Sequence, residues 1–266
     1  MFRRYLRALL SEAPVDTTMI DTVERLHNHR RILERKPMIR EVFTEFHHVM
    51  RTLDERFFGN VAGLRVELGA GVYPIRETYA DVLATDIVSD PRMDRTLDAL
   101  AMDLDDHSVR ALYGQNCFHH FPSVEPFFEE ALRVVAPGGG VILVEPYYGR
   151  LAQALFPRLF STESFDKDAV SWDTVSQGPM SGANQARSYI VFVRDRHVFT
   201  QRFPHLRIRY AAPLPNYLRY LLSGGLNFKQ LAPDALMSLV KRCEQLLTPV
   251  QTYLALHHVI VLQRQL

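Results

Sequence analysis

Arg65-Val66-Glu67-Leu68-Gly69-Ala70-Gly71-Val72-Tyr73-Pro74 is the most informative run in this chain. The residues around its start are apolar and β-favouring, so Leu64–Leu68 is predicted as a strand. Gly69 and Gly71 then allow a tight turn and let a ligand approach bare backbone. Pro74 opens a predicted helical stretch, Pro74–Tyr79, because proline is well tolerated at a first helical turn. A nicotinamide dinucleotide site wants a third glycine where this chain has Pro74, whose ring blocks the close packing that glycine provides.

Two acids flank this turn. Glu67 ends the strand, two residues before the first glycine. A pyrophosphate would be repelled there, whereas an α-amino group and a sulfonium would be attracted. Asp86 ends the next predicted strand, Val82–Asp86, where it can accept hydrogen bonds from both hydroxyls of a ribose. The pair favours a cationic nucleoside over a dinucleotide. Further strands are predicted at Val109–Gln115 and Val141–Glu145, with a helix near Val124–Ala136. This alternation predicts an α/β fold with a doubly wound, mostly parallel sheet. The interval from Asp86 to Asp98 is short, so the helix expected there is short or missing. Leu206–Tyr210 reads as a strand, Pro233–Leu247 as a helix and Thr252–Leu262 as a long final strand. That finish adds one antiparallel strand.

Taken in order, these segments resemble the class I S-adenosylmethionine-dependent methyltransferases, in the broad group that includes quinone-ring and small-molecule methylases. The resemblance covers roughly Leu64–Pro146. It implies a Rossmann-like sheet of seven strands and S-adenosylmethionine as the cofactor. Glu67-Leu68-Gly69-Ala70-Gly71 is similar to the family's E/D-x-G-x-G loop, which implies contact with the methionine portion. Tyr73 stands where the family has its third glycine, and there it narrows the loop or lays a ring beside the methionine. Thr85-Asp86-Ile87 resembles the acidic strand end that binds ribose. Leu97-Asp98-Ala99 with Met102-Asp103-Leu104 resembles the D-A-x-x-L-P-F region, without its proline. It implies that Asp98 faces the adenine amino group and that Ala99 offers backbone. Gln115-Asn116-Cys117-Phe118-His119-His120 resembles the segment after strand four, which implies that Asn116 and Phe118 border the cofactor. Arg133–Gly140 followed by Val141–Glu145 resembles the turn into the fifth strand. Gly178–Asn184, Phe192–Arg196 and Tyr220–Gly225 resemble a narrower group of bacterial methyltransferase-domain proteins.

The expected donor methyl lies after strand four, beside His119 and His120. Imidazole titrates near neutrality, so one of them, His119 first, is the candidate catalytic base for a hydroxyl acceptor. The other reading is that both support the loop or pack on adenosine. Tyr73, Phe118 and Tyr147 could offer aromatic faces to the cation, and Trp172, Asn184, Arg187 and Arg194 could read a polar acceptor. Gly138-Gly139-Gly140 precedes a strand, so it reads as a helix C-cap and turn at the edge away from ligands. No histidine and carboxylate spacing marks a metal site. Asn116 is followed by Cys117 and Phe118, not by the D/N-P-P-Y/F signature of base N-methylases.

Composition bounds the rest. The chain has 266 residues, 47% hydrophobic and 23% charged, which suits one large α/β domain with a cap. Lys and Arg total 31 against 30 Asp and Glu, a net charge of +1 that argues against a nucleic-acid partner. No apolar run approaches the ~20 residues of a membrane span. Met1–Leu10 reads as a short amphipathic helix and not as a targeting peptide. The two cysteines, Cys117 and Cys243, are far apart, which fits a reducing cytoplasm. Residues 1–60 are predicted as a helical cap broken at Pro37, and residues 61–266 as the methyltransferase domain, with a less regular insertion at about 150–200. The expected function is methylation of a small metabolite or sugar unit, with O-methylation favoured. The alternatives are a non-catalytic binding or assembly protein of the same fold, and a nicotinamide-dependent oxidoreductase.

Overall fold

Seven strands form one sheet in the computed structural model, which describes residues 11–12, 22–159, 163–175, 178, 180 and 182–266. They are β1 (Leu64–Leu68), β2 (Val82–Asp86), β3 (Arg95–Thr96), β4 (Val109–Gln115), β5 (Val135–Pro146), β6 (Leu206–Pro213) and β7 (His257–Arg264). Their order across the sheet is β3-β2-β1-β4-β5-β7-β6. β7 is antiparallel to both its neighbours, β5 and β6, and the other pairs are parallel. The expected doubly wound sheet with one antiparallel strand is therefore the observed one. Its central strands are buried on both faces, as the apolar runs of β4 and β5 require. From β1 the chain winds outward through β2 and β3 on one side, then crosses back to β4 on the other. Such a reversal opens a crevice at the carboxyl ends of the strands.

Helices cover both faces. α1 (Val23–Glu34) and α2 (Pro37–Phe58) are separated at Pro37, as predicted. α2 spaces Ile39, Val42, Phe43, Phe46, Met50 and Leu53 along one stripe, which packs on Ala111, Tyr113, Ile142 and Val144. The N-terminal segment read as a cap is thus partly a structural layer. The other face carries α3 (Glu125–Val134) and α5 (Arg196–Arg202), whereas α4 (Arg150–Leu159) packs through Ala152 and Phe156 on Tyr217 and Leu256. Phe127, Phe128, Phe192, Phe199 and Phe203 pack on that face against Leu112, Val141 and Leu143. α6 (Tyr217–Ser223) and α7 (Met237–Leu246) lie between β6 and β7. Among the described residues, no helix is long and apolar enough to cross a membrane. The expected helix at Met1–Leu10 lies outside the described residues.

Several expectations differ from the structure. Pro74–Tyr79 yields only a single 3-10 turn, Ile75–Glu77, whose first N–H is taken by the Glu67 carboxylate. The stretch at about 150–200 is more regular than expected, since it contains α4 and a helical run from Arg187 through a π-helical turn at Ile190–Arg194. The last strand begins at His257 and not at Thr252, because Gln251–Leu254 forms a helical turn. Gly138-Gly139-Gly140 is not a helix cap. It lies inside β5 at a register shift, and a side chain at residue 140 would stand 2.0 Å from the Leu262 carbonyl oxygen.

One buried acid ties α2 to the sheet. Asp54 accepts from Arg65 Nε (2.6 Å), Arg110 Nε (2.7 Å) and the Tyr113 hydroxyl (2.7 Å). A hydrogen bond to a charged group is worth ~1.5–3 kcal/mol. Tyr113→Phe is expected to cost about 1.5 kcal/mol and lower the melting midpoint by ~3–6 °C. A midpoint moved by less than 1 °C would show that the hydroxyl contributes nothing.

Candidate active site

A cavity of about 370 Å³ opens at the carboxyl ends of β1, β2 and β4. That is within the range of small-molecule sites. Its wall includes Glu67, Gly69, Gly71, Tyr73, Asp86, Ile87, Asp98, Ala99, Asn116, His119 and His120. All were sequence candidates, and the fold gathers them around one space. α1 reaches over the cavity with Arg25, Leu26 and His29.

The turn after β1 depends on glycine. Gly69 has φ +61°, and a Cβ there would meet the Cys117 Cβ at 2.8 Å, so the loops after β1 and β4 touch. Asp86 holds this turn from β2: Oδ2 accepts from the Gly71 N–H (3.0 Å) and Oδ1 from the Val88 N–H (2.9 Å). Glu67 Oε2 accepts from the Ile75 N–H (2.7 Å), which fixes the start of the 3-10 turn. Burial pushes the Glu67 carboxyl well above its ordinary range, and the charge of Asp86 adds to this. Burial also raises Asp86, against the amides of Val88 and Gly71. A cation entering between these acids would stabilise both in their charged forms.

The adenosine-side candidates lie further along. Asp98 is exposed at the rim and takes the Leu100 N–H on Oδ1 (2.9 Å). Asn116 adopts φ +53°, uncommon for a non-glycine residue, and its buried Oδ1 has no partner. Tyr73 stacks its ring on His47 at 5.0 Å, and its hydroxyl meets Thr44 Oγ1 at 3.2 Å.

Phe118 does not border the cavity. It is fully buried and packs on Phe121, Phe127, Phe128 and Phe192. On a 3-10 turn, adjacent side chains diverge by a third of a revolution, so the turn that aims His119 inward aims Phe118 into the core. Tyr147 is likewise turned away, against Tyr148 and His258. Trp172 donates to Asp195 (2.9 Å), Arg187 is buried on Phe121 and Thr174, Arg194 pairs with Asp195, and Asn184 bonds Asp166, so none of the four reads the cavity.

The far end is built on Glu145, the last acid of β5. Its Oε1 accepts from the Cys117 (3.0 Å) and Phe118 (2.9 Å) N–H groups. Its Oε2 accepts from the His119 N–H (3.3 Å) and faces His119 Nδ1 at 2.6 Å. Glu163 approaches from the segment after α4, with Oε2 3.8 Å from His119 Nε2 and Oε1 4.0 Å from His120 Nε2. Gln185 Nε2 donates to Glu163 Oε2 at 2.5 Å. Burial alone would lower His119, but the charge and hydrogen bond of Glu145, with Glu163, push it up to about 9. Burial and the His119 charge push His120 down to about 3. Burial would raise Glu163, but the neighbouring His119 and His120 rings and the hydrogen bond from Gln185 bring it down to about 2. With no other cation beside it, His119 therefore favours its protonated form between the two carboxylates. His120 is neutral and weakly basic.

Residues 68–143 match the family model described as a methyltransferase domain. Over this stretch the chain is similar to a methyltransferase domain. The match runs from the end of β1 into β5, the segments that carry the glycine turn, Asp86 and the His119–His120 turn. No curated protein matches the sequence. Among solved structures, the fold is similar to a phosphoethanolamine N-methyltransferase from Haemonchus contortus with S-adenosyl-L-methionine, at 13% identity and TM-score 0.44. That likeness covers 83% of this chain but 52% of the nematode protein, so the chain spans about half its length. It is also similar to geranyl diphosphate C-methyltransferase from Streptomyces coelicolor A3(2), at 12% identity and TM-score 0.48, over 97% of this chain and 91% of that one. An S-adenosylmethionine-dependent methyltransferase from Mesorhizobium loti follows, at 12% identity and TM-score 0.43, over 80% and 96%.

At the far end of the cavity, two residues carried no usable sequence signal as such. Glu145 looked like a strand terminus, although an acid closing a fully apolar strand is a recognisable anomaly. Glu163 comes from an aperiodic segment, and nothing in its surroundings marks it.

Proposed function

We propose that this chain transfers a methyl group from S-adenosylmethionine to an oxygen of a small-molecule acceptor, a metabolite or a sugar unit. The observation that carries the reading is that Glu67 and Asp86 share one cavity wall with the glycine turn. The donor supplies an electrophilic methyl on a sulfonium. Asp86 orients the ribose, Glu67 and the turn after β1 take the methionine portion, and Asp98 and Ala99 take the adenine. Asn116 offers its unpaired oxygen to the donor. The acceptor lies toward His119 and His120, the catalytic residues, one of which takes the hydroxyl proton as the oxygen bonds the methyl carbon and the carbon–sulfur bond breaks. Displacement at the methyl carbon disperses charge, so the protein's main tasks are alignment at ~3–3.5 Å and exclusion of water. α1 serves as the cap that excludes it. We place the protein in the cytoplasm, in keeping with the unpaired Cys117 and Cys243, and we take its partners to be small molecules rather than nucleic acids.

Calorimetry with S-adenosylmethionine and its demethylated product is the test. Binding below ~100 μM, about −5.5 kcal/mol, is expected. No heat of binding at millimolar donor would end this reading and leave a protein that keeps the fold for another purpose. NAD(H) titrated into the same sample is expected to give no binding.

A further inference from the structure

We propose that His119, His120 and Glu163 form a binding site for a first-row divalent transition-metal cation at the acceptor end of the cavity. Three ligand atoms, one from each residue, lie within 4.8 Å of one another. A cation with bonds of ~2.0–2.2 Å holds its ligands ~3.0–4.2 Å apart, depending on geometry. The observed 3.8 Å from His119 Nε2 to Glu163 and 4.0 Å from His120 Nε2 to Glu163 lie within that window. Both separations are too long for direct hydrogen bonds. Closing on a cation draws the three side chains inward from a 4.8 Å spread and displaces the proton that His119 Nε2 otherwise holds toward Glu163.

The surroundings are those of a metal-binding histidine. A ligating imidazole commonly gives its second nitrogen to a carboxylate, which sets the tautomer and the ring orientation. Here Glu145 does this for His119, at 2.6 Å from Nδ1. Glu145 is itself immobilised by three backbone N–H groups. Glu163 is braced in turn by Gln185. His119 is buried, and Glu163 is 13% exposed along its side chain, so a bound cation would be largely shielded from water. Two imidazoles with one carboxylate suit manganese, iron, cobalt, nickel or zinc in the divalent state, and disfavour magnesium and calcium, which take oxygen ligands.

All three residues line the cavity, so the open positions of the cation would face the acceptor. Resting on the methyltransferase reading, this narrows the acceptor class to molecules that offer a hydroxyl or carboxylate oxygen as a metal ligand. The site also links the turn after β4 to the segment after α4, so the cation would clamp that segment over the cavity.

The test uses the full chain, stripped of metal and titrated with Co²⁺, followed by visible absorption and by calorimetry. One equivalent is expected to bind, with d–d bands of a nitrogen- and oxygen-ligated ion, and Mg²⁺ is expected not to compete. Loss of a supporting carboxylate behind a ligand weakens metal binding by ~10–100-fold, and loss of a ligand should reach at least the upper end of that range. Glu163→Gln and His120→Ala should each weaken Co²⁺ by ~100-fold, while S-adenosylmethionine affinity stays within threefold. Glu163→Gln keeps the shape of the side chain, and its melting midpoint shows whether the variant is folded. No stoichiometric binding by the unaltered chain, or equal binding by both variants, would overturn the site. Donor binding is measured separately, so a chain that binds Co²⁺ but not S-adenosylmethionine overturns the methyltransferase reading alone.

Discussion

Asp86→Ala is expected to raise the dissociation constant for S-adenosylmethionine by ~100-fold at neutral pH. Asp86 ends β2 at the cavity wall, and each of its oxygens accepts one backbone N–H, from Gly71 and from Val88. A carboxylate has about four lone-pair sites, so two remain for the vicinal hydroxyls of a ribose. A charge-assisted hydrogen bond is worth ~1.5–3 kcal/mol, and 100-fold is ~2.7 kcal/mol. The variant also loses the anchors of Gly71 and Val88, so a melting midpoint lower by a few degrees should accompany the weaker binding. Only the ionised form can accept from both hydroxyls. Burial holds the Asp86 pKa above that of an ordinary aspartate, with the charge of Asp90 adding to the rise. Donor affinity should therefore fall as the pH is lowered, beginning at a higher pH than for an exposed aspartate. A folded variant with an unchanged dissociation constant would remove Asp86 from the donor site.

Glu145→Ala is expected to destabilise the protein by about 4 kcal/mol, seen as a melting midpoint ~8–16 °C lower. Three buried backbone N–H groups, of Cys117, Phe118 and His119, lose their acceptor together. Each unsatisfied buried donor costs ~1–3 kcal/mol. The His119 ring loses its Nδ1 partner as well, so the turn that aims it at the cavity should loosen. Glu145→Gln keeps the shape and one acceptor oxygen, and should recover about half of the loss. If alanine and glutamine melt within 2 °C of the parent protein, Glu145 does not organise the turn, and the account of the acceptor end is wrong.

The donor half of the site was legible because its signals are local. A strand end, a glycine turn and an acid at the next strand end are short-range features whose geometry follows from neighbouring residues. They therefore located Glu67, Gly69 and Asp86 on one wall before any coordinates. Phe118 was misplaced for a related reason. Its segment was identified correctly, but which of four consecutive side chains faces inward depends on the phase of the 3-10 turn, and Glu145 sets that phase from another strand. The missing helix between β1 and β2 shows the same limit. Proline and spacing allowed a helix, whereas the chain there forms only the 3-10 turn whose first N–H is held by Glu67.

The amino-acid order alone determined that apolar strands alternate with amphipathic helices, that the sheet is wound to both sides of β1, and that two acids meet a glycine turn. It could do so because periodicity and turn chemistry act over a few residues. Tertiary structure alone decided that Glu163, far along the chain, faces His119 and His120, and that Glu145 pushes His119 up while burial pushes its neighbour His120 down. Those outcomes depend on burial and on distances between segments that only the packed sheet and its helices bring together.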